Sequence, residues 1–251
     1  MIIWKKNNDL IAGTTLRHPS YPDQNNLALH VGGNIHNIIE NRKQLCNDLS
    51  ITLQQWVFLQ QTHSDHIYEA TKKDQGKGTL SYLDGIENCD SIYTKEKNLA
   101  IGIFTADCVP ILLYDPNIPL ICAIHSGWQG TVKEITAKTL QHLINKEHVN
   151  PVDLHAYIGP AINYESLEVG LEVVEKVKQM HFDTKNFMKY KNGNKAFIDN
   201  KGLNKQMLLN AGVLEENITI SYRNTFLPDC ELFSYRRDHS CGRHLSFIMM
   251  K

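Results

Sequence analysis

Residues Leu120–Thr131 read Leu-Ile-Cys-Ala-Ile-His-Ser-Gly-Trp-Gln-Gly-Thr, and this stretch says most about how the chain folds. The five residues 120–124 are all apolar, which is the length and composition of a buried strand. His125 stands where that strand ends, and a glycine-containing turn follows it. Histidine binds metals or protons. The stretch therefore predicts a strand that delivers a histidine to the start of a turn.

The turn after His125 predicts a second kind of ligand contact. Gly127 and Gly130 allow the backbone to come close to a ligand. Thr131, with Glu134 three places further on, has the spacing of a capping box at the start of a helix. A helix N-terminus offers free N–H groups and a partial positive charge to anions. Gly127, Gly130 and Thr131 are therefore candidate anion-binding residues beside the histidine.

Charge, hydropathy and cysteine content limit the partners and the cellular compartment that we expect for this protein. The net charge of the 251 residues is -1, so there is no basic surplus that would suggest nucleic acid as a partner. No apolar run reaches the roughly 18 residues of a membrane span, and Met1–Asn8 turns polar too soon for a signal peptide. We expect a cytoplasmic protein, a monomer or small homo-oligomer, whose six cysteines are thiols.

Strand-like and helix-like segments are mixed along the chain. No linker, repeat or low-complexity segment divides it. Apolar residues recur at helical spacing between Ile35 and Leu49, and Asn34 is a candidate cap for that helix. The regular strand–helix alternation of a doubly wound sheet is absent. We therefore expect a single α+β domain over residues 1–251.

Three potential metal ligands each follow or interrupt an apolar strand segment. They are His63, Cys108 and His125. Strand ends in one sheet can meet at a common edge, and two imidazoles with a thiolate suit zinc with one position left open. A metal in such a site lowers the pKa of a bound water to about 7. Two alternatives stay open: Cys108 as a nucleophile with a histidine as its base, and histidines that make only structural hydrogen bonds.

Three arginines are candidates for binding phosphate or a carboxylate. Arg42 falls on the apolar stripe of the 35–49 helix, where either its stem packs while its head reaches water or an acid, or its cation is held over a pocket. Arg236 and Arg237 are candidates for closing that pocket or for surface ion pairs. Asp107, next to Cys108, is interpreted as a structural turn residue or as a proton donor.

The segments that carry these residues resemble the signature blocks of the YfiH family. This family is also called the laccase-domain or multicopper polyphenol oxidase family, and now the purine nucleoside phosphorylase family. The three main blocks are Gln61–Ser64, Thr105–Pro110 and His125–Thr131. The resemblance covers nearly the whole chain, with further ordered blocks at Asn26–Gly32, Asn41–Arg42, Asp90–Thr94, Ile158–Pro160, Phe233–Asp238 and Gly242–Arg243.

The resemblance implies a fold, a metal site and an activity. The implied fold is a four-layer α/β/β/α sandwich. The residues at the family's metal-binding and catalytic positions are His63, Cys108 and His125, with zinc as the implied metal and copper as the alternative. The implied reactions are the phosphorolysis of adenosine, inosine, guanosine and methylthioadenosine and the deamination of adenosine. Purine nucleosides and phosphate are therefore the expected partners.

Three positions depart from the family pattern. Gln129 replaces the usual arginine of the His-x-Gly-Trp-Arg-Gly block, and Ala161 and Asn224 replace usual cysteines. Because Gln129 removes one possible phosphate cation, the turn would bind an anion through its backbone, and Arg42 becomes the side chain to test. The rival hypotheses are a copper phenol oxidase, a metal-free hydrolase or amidase that uses Cys108, a cell-wall editing enzyme and a non-enzymatic binding module.

Overall fold

The computed structural model describes residues 1–228 and 231–251. Within them, the strands are β1 (Ile2–Lys6), β2 (Leu10–Thr14), β3 (Trp56–Phe58), β4 (Ile67–Glu69), β5 (Ser91–Thr94), β6 (Ala100–Thr105), β7 (Val109–Asp115), β8 (Leu120–Ser126), β9 (His155–Ile158), β10 (Glu168–Gly170), β11 (Met188–Lys191), β12 (Lys195–Ile198), β13 (Ile218–Ile220) and β14 (His244–Met250). The α-helices are α1 (Ile35–Leu49), α2 (Trp128–Val132), α3 (Ile135–Glu147), α4 (Leu171–Lys178) and α5 (Asn200–Asn210). Short 3-10 helices span Pro22–Asn25, Leu53–Gln55, Lys72–Asp74, Pro151–Asp153, Lys185–Phe187 and Glu215–Asn217.

Two large sheets pack face to face at the centre of the molecule. One has the strand order β1-β2-β14-β6-β3 and the other β13-β9-β7-β8-β5-β4. Their inner faces share one apolar cluster, to which the first sheet contributes Ile101 and Ile248 and the second contributes Leu112 and Ala123. Strands β7, β8 and β14 are buried along their whole length. Their near-continuous apolar sequences match strands that are covered on both faces.

Helices cover the outer faces of both sheets. On the first sheet, Leu45 of α1 packs in one cluster with Phe247. On the second, Leu140 of α3 packs in one cluster with Ile124. This order of layers confirms the α+β fold and the four-layer α/β/β/α sandwich. A small sheet, β10-β12-β11, packs with α4 and α5 in a further cluster at one side.

The two predicted helix starts had different outcomes. The cap at Asn34 is confirmed, because its side chain accepts a hydrogen bond from the N–H of His36 at 2.9 Å. The capping box at Thr131 and Glu134 is wrong. Gly127 is already the cap of α2, Thr131 lies inside that helix, and Glu134 has a left-handed backbone between α2 and α3. Residue spacing alone does not distinguish a first helical turn from a second one.

The described residues also bear on the expectations about membranes and cysteines. No helix within 1–228 and 231–251 is both long enough and apolar enough to cross a bilayer. The five cysteines in these ranges are free thiols, as predicted: Cys46, Cys89, Cys108, Cys122 and Cys241. Cys230 lies outside the described residues.

Candidate metal centre

The three predicted ligands come together at one edge of the central sheets. His125 lies in β8, Cys108 directly precedes β7, and His63 lies in the loop after β3. Strands β7 and β8 are antiparallel neighbours, with Pro110 opposite His125, which brings the thiol beside the imidazole. One ligand atom from each of the three residues lies within 4.8 Å of the others. In the part of the chain that the structure describes, this is the one such group of three or more His, Cys, Asp or Glu side chains.

One buried carboxylate, that of Asp90, orients both histidines. Its Oδ1 lies 2.6 Å from Nδ1 of His125. This bond holds the imidazole with its proton on Nδ1 and leaves Nε2 as the ligand atom. Its Oδ2 accepts hydrogen bonds from the backbone N–H groups of Thr62 and Ser64 at 3.1 and 2.6 Å. Because those two residues flank His63, Asp90 also fixes the loop that carries the second imidazole.

Burial and this carboxylate together shift the pKa values of the cluster. Burial by itself lowers the pKa of His125, but Cys108 and Asp90 raise it to about 10. Burial opposes ionisation of Asp90, yet hydrogen bonds from His125 and Ser64 bring its pKa down to about 2. Burial and the neighbouring His125 lower the pKa of His63 to about 4. At neutral pH His63 is therefore a neutral imidazole, the form that ligates a metal, whereas His125 would have to give up a proton to ligate one.

The side chains present fit a metal ion. Nδ1 of His63 is buried and has no hydrogen-bond partner among the described residues. A Cβ at Gly127 would lie 2.6 Å from this nitrogen and 3.0 Å from Sγ of Cys108, so only glycine allows the backbone this close. Buried polar atoms in proteins are nearly always paired. A cation held by two imidazoles and a thiolate would pair this one.

These ligands form part of the lining of two cavities. The Trp128 cavity has a volume of about 260 Å³, and its lining includes Trp128, Ile162, Leu167, Asn200, Tyr235 and Arg236. The Arg243 cavity has a volume of about 350 Å³, and its lining includes His30, Gln61, Phe104, His125, Tyr235 and Arg243. His63 and Cys108 line both cavities. A molecule in either cavity would therefore reach the same metal centre.

The prediction that Arg42 holds its cation over a pocket is corrected by the structure, because Arg42 lines neither cavity. Its side chain is buried, and Nε donates to the carbonyl of Leu27 at 2.8 Å. Its Nη1 donates to the carbonyls of Gly78 and Thr79 at 2.7 and 2.8 Å, and its guanidinium lies 5.2 Å from the centre of the Phe104 ring. Burial lowers its pKa to about 9, which still leaves it charged at neutral pH. Arg42 therefore connects loops through buried hydrogen bonds to their carbonyls. It is neither a surface group nor an anion ligand.

The predicted anion site in the turn also requires correction. Thr131 is fully buried, and its N–H donates to the carbonyl of Gly127 at 2.8 Å. Its hydroxyl shares hydrogen bonds with Ser126 Oγ at 2.8 Å and Asn204 Nδ2 at 3.1 Å. Gly130 is buried and lines neither cavity. Of the three turn residues, Gly127 alone touches the metal centre, and its contribution is the space that it leaves for the ligands.

Of the two predicted C-terminal arginines, one lies at the site. Arg236 lines the Trp128 cavity, and its backbone N–H donates to Oδ2 of Asp107 at 2.6 Å. Oδ1 of Asp107 accepts from the hydroxyl of Thr225, also at 2.6 Å, which supports the structural interpretation of this carboxylate. Arg237 lies away from the ligands, and its Nη2 donates to the carbonyl of Leu232 at 2.9 Å.

Sequence reasoning missed His30, Asp90, Asn200 and Arg243, among other residues of this site. His30, Asp90 and Arg243 fall within blocks that already resemble the family pattern, so a signal was available for them. Asn200 had no comparable signal, because it follows the helix cap Asp199 and belongs to none of the blocks. Its place beside the metal centre depends on a long-range contact between α5 and the end of β8.

Comparison with known proteins reveals relatives along the whole chain. The family described as multi-copper polyphenol oxidoreductase laccase matches residues 13–251. The protein named purine nucleoside phosphorylase YlmD of Bacillus subtilis (strain 168) is 32% identical over 252 residues, which cover 98% of this chain and 91% of that protein. Its namesake in Geobacillus stearothermophilus is 31% identical over 244 residues, which cover 95% of this chain and 89% of the relative.

Solved structures share the same architecture. The hypothetical protein YfiH of Bacillus licheniformis has a TM-score of 0.93 and 32% identity, covering 96% of this chain and 93% of that one. YlmD from Geobacillus stearothermophilus has a TM-score of 0.92 and 29% identity, covering 100% and 99%. The fold, the ordered sequence blocks and these matches agree. The chain therefore belongs to the multi-copper polyphenol oxidoreductase laccase family, which is the YfiH family that its motifs resemble.

Proposed function

We propose that this protein is a zinc-dependent purine nucleoside phosphorylase that also deaminates adenosine. Its substrates would be adenosine, inosine, guanosine and methylthioadenosine, with phosphate as the second reactant. The names of the relatives give the reaction class. The observation that carries the proposal is the buried, unpaired Nδ1 of His63 in a residue that forms one group of potential ligands with Cys108 and His125. Zinc is bound by such donors in catalytic sites that keep one position open.

The proposed metal is held by three side chains and positioned by a fourth. His63, Cys108 and His125 would be its ligands, and Asp90 would orient the two imidazoles through the hydrogen bonds described above. When bound, the metal supplies a Lewis acid at the wall that the two cavities share. His125 lies in β8 and Cys108 adjoins β7, while hydrogen bonds to Asp90 hold the loop that carries His63. Each ligand therefore has the support that precise coordination requires.

The two cavities offer different surroundings for the two reactants. The Trp128 cavity has apolar and aromatic walls, including Trp128 and Ile162, which suit a purine ring. The Arg243 cavity carries a guanidinium, and burial lowers the pKa of its His30 to about 4, so that imidazole is neutral. We assign the nucleoside to the first cavity and phosphate to the second.

In phosphorolysis, an oxygen of phosphate bonds to C1′ of the ribose as the C1′–N9 bond breaks. The electron pair of that bond leaves with the purine, and ribose 1-phosphate is the other product. The base takes up a proton as it leaves. Asp107 is not the proposed proton donor, because Thr225 and the backbone of Arg236 already occupy its two oxygens.

A metal-free cysteine hydrolase is a second candidate, favoured by one specific observation. Sγ of Cys108 and a ring nitrogen of His125 lie within 4.8 Å of each other, and His125 in turn meets Asp90 at 2.6 Å. Nucleophile, base and orienting acid are thus in the order of a catalytic triad. This arrangement leaves Nδ1 of His63 unpaired, whereas a metal pairs it. The metal site is therefore the first proposal. Residues 1–228 and 231–251 contain one such group of ligands, which favours one metal ion over the several coppers of a multicopper oxidase.

An assay of nucleoside cleavage with controlled metal content tests the proposal. The protein is loaded with one equivalent of zinc and given each nucleoside with and without phosphate. We expect inosine to yield hypoxanthine and ribose 1-phosphate only with phosphate, and adenosine to yield inosine without it. A strong chelator should abolish both reactions, and zinc should restore them. Full activity in chelator, with loss after thiol alkylation, would support the hydrolase, and unchanged activity in Cys108→Ala would contradict both candidates.

A further inference from the structure

Asn200 places an unpaired hydrogen-bond acceptor beside the proposed nucleoside site. It is the first residue of α5 and lines the Trp128 cavity. Its side chain is almost fully buried, with 2% of the residue exposed. Its Oδ1 is buried and has no hydrogen-bond partner among the residues that the structure describes. Because buried side-chain oxygens are nearly always paired, this one has the character of an acceptor that a bound molecule completes.

The orientation of this amide is fixed by its neighbour. Nδ2 of Asn200 donates to the carbonyl of Ser126 at 3.0 Å. A carbonyl oxygen only accepts, so rotating the amide by half a turn would bring two oxygens together. Oδ1 is therefore held as an acceptor, and the same hydrogen bond ties it to the end of β8, next to His125.

We propose that Asn200 determines which nucleosides the enzyme accepts. Its Oδ1 takes a hydrogen bond from a donor on the nucleoside, which is an N–H of the base edge or a hydroxyl of the ribose. The inference rests on the proposed function and goes further by naming the group that reads the substrate. Asp107, Tyr235 and His239 also line this cavity, but among the described residues Asn200 supplies its buried oxygen acceptor without a hydrogen-bond partner. A site built to pair with a substrate donor discriminates strongly against an analogue that lacks it.

Substrate analogues combined with a variant test this role. Inosine is compared with 2′-deoxyinosine, 3′-deoxyinosine, 5′-deoxyinosine and purine riboside, which lacks a donor on its base. In the wild-type enzyme, one of these analogues should lose about tenfold in kcat/KM because Oδ1 stays unpaired. In Asn200→Ala, inosine should lose about tenfold, while that analogue should change less than threefold. The identity of the analogue that loses kcat/KM in the wild-type enzyme shows whether the donor belongs to the base or to the sugar.

Asn204→Ala is the matched control. Asn204 lies one turn further along α5, is fully buried, and has both side-chain ends paired, with Thr131 and Thr136. Its replacement should change all five nucleosides by a common factor. The zinc content and Tm of each variant show whether it has folded. If Asn200→Ala does not fold, Asn200→Ser replaces it, because serine keeps a polar group while removing the acceptor from its present position.

The possible failures can be told apart. An equal loss for every nucleoside in the Asn200 variant would overturn the inference, since Asn200 would then act only by holding Ser126. A wild-type enzyme that cleaves none of the five nucleosides with phosphate would overturn the proposed function, and this inference with it. If Asn200→Ala loses kcat/KM for inosine but not for one of the analogues, the result supports both the inference and the proposed function.

Discussion

Oδ1 of Asp90 lies 2.6 Å from Nδ1 of His125, while its Oδ2 accepts the N–H groups on both sides of His63. One buried carboxylate thus sets the direction of two imidazoles that come from different parts of the chain. Carboxylates in this position fix the tautomer of a metal-bound histidine and increase its basicity. Asp90 is therefore expected to contribute to metal affinity although it is not itself a ligand.

Asp90→Asn should weaken zinc binding by about 10–100-fold. Asparagine has one acceptor oxygen, so it cannot serve both His125 and the loop around His63. The measurement is a zinc competition titration against a chromophoric chelator at constant pH. Asp65→Asn is the control, because Asp65 lies next to the same loop but is partly exposed and pairs with Lys138 at the surface. Equal zinc affinities for the Asp90 variant and wild type would contradict the assigned role.

Gly127→Ala should lower zinc affinity at least tenfold while leaving a folded protein. The new Cβ would be 2.6 Å from the His63 ring and 3.0 Å from the Cys108 sulfur, distances that force the ligands apart. Zinc content after dialysis and the Tm of the metal-free protein are the measurements. Gly32→Ala is the control, since a Cβ there meets nothing within 4 Å. Full zinc occupancy in the Gly127 variant would contradict the prediction, because the ligands would then bind zinc despite the added Cβ.

Variants of two arginines should distinguish an effect on phosphate binding from an effect on the free energy of unfolding. Arg243→Gln should raise KM for phosphate about tenfold, because it removes the guanidinium from the cavity assigned to phosphate. Arg42→Met should instead lower the free energy of unfolding by about 3 kcal/mol, because three carbonyls lose their buried donor, and should leave KM for phosphate unchanged. The measurements are phosphate-dependent rates and urea unfolding. A folded Arg42 variant with a raised KM would restore the role predicted from its sequence.

The strength and the limit of the sequence patterns are visible in particular residues. Cys108 directly precedes one fully buried strand and His125 lies near the end of another. The pairing of those strands makes the two residues neighbours, so apolar strand patterns sufficed to find them. Arg42 and Thr131 were misjudged for one shared reason. A helical stripe or a cap spacing shows where a polar side chain points locally, but not whether a distant carbonyl such as that of Gly78 already binds it.

The α+β class was predictable from the residue patterns and the four layers from the family resemblance, whereas the organisation of the site was less predictable. Strands that are apolar throughout require cover on both faces, and the amphipathic helix at 35–49 provides it for one sheet. The roles of Asp90 and Asn200 depend on contacts between segments far apart in the chain. No periodicity in the sequence carries that information.

Acid should destabilise the metal-free protein through His244. This histidine is fully buried, and burial with the nearby Arg243 lowers its pKa to about 3. Below pH 6.5 the unfolded chain takes up a proton on His244, but the folded chain does so only near pH 3. The unfolded state therefore binds more protons in this window, and the free energy of unfolding falls as pH falls, by at most about 1.4 kcal/mol per pH unit for one group.

His244→Gln should reduce this pH slope between pH 6 and pH 4. His30 and His63 also have lowered pKa values, so part of the slope should remain. Urea unfolding in chelator at half-unit pH steps measures the effect, and the exposed His36→Gln should leave the slope unchanged. Identical slopes in the His244 variant and wild type would show that this histidine is not held neutral in the folded protein.

X-ray absorption at the zinc edge tests the central claim, that His63, Cys108 and His125 hold one metal ion. Zinc-loaded protein should show one sulfur at about 2.3 Å and two imidazole nitrogens at about 2.0–2.1 Å. In Cys108→Ala the sulfur shell should disappear. A wild-type spectrum without sulfur, or a sulfur shell that persists in Cys108→Ala, would contradict the proposed centre.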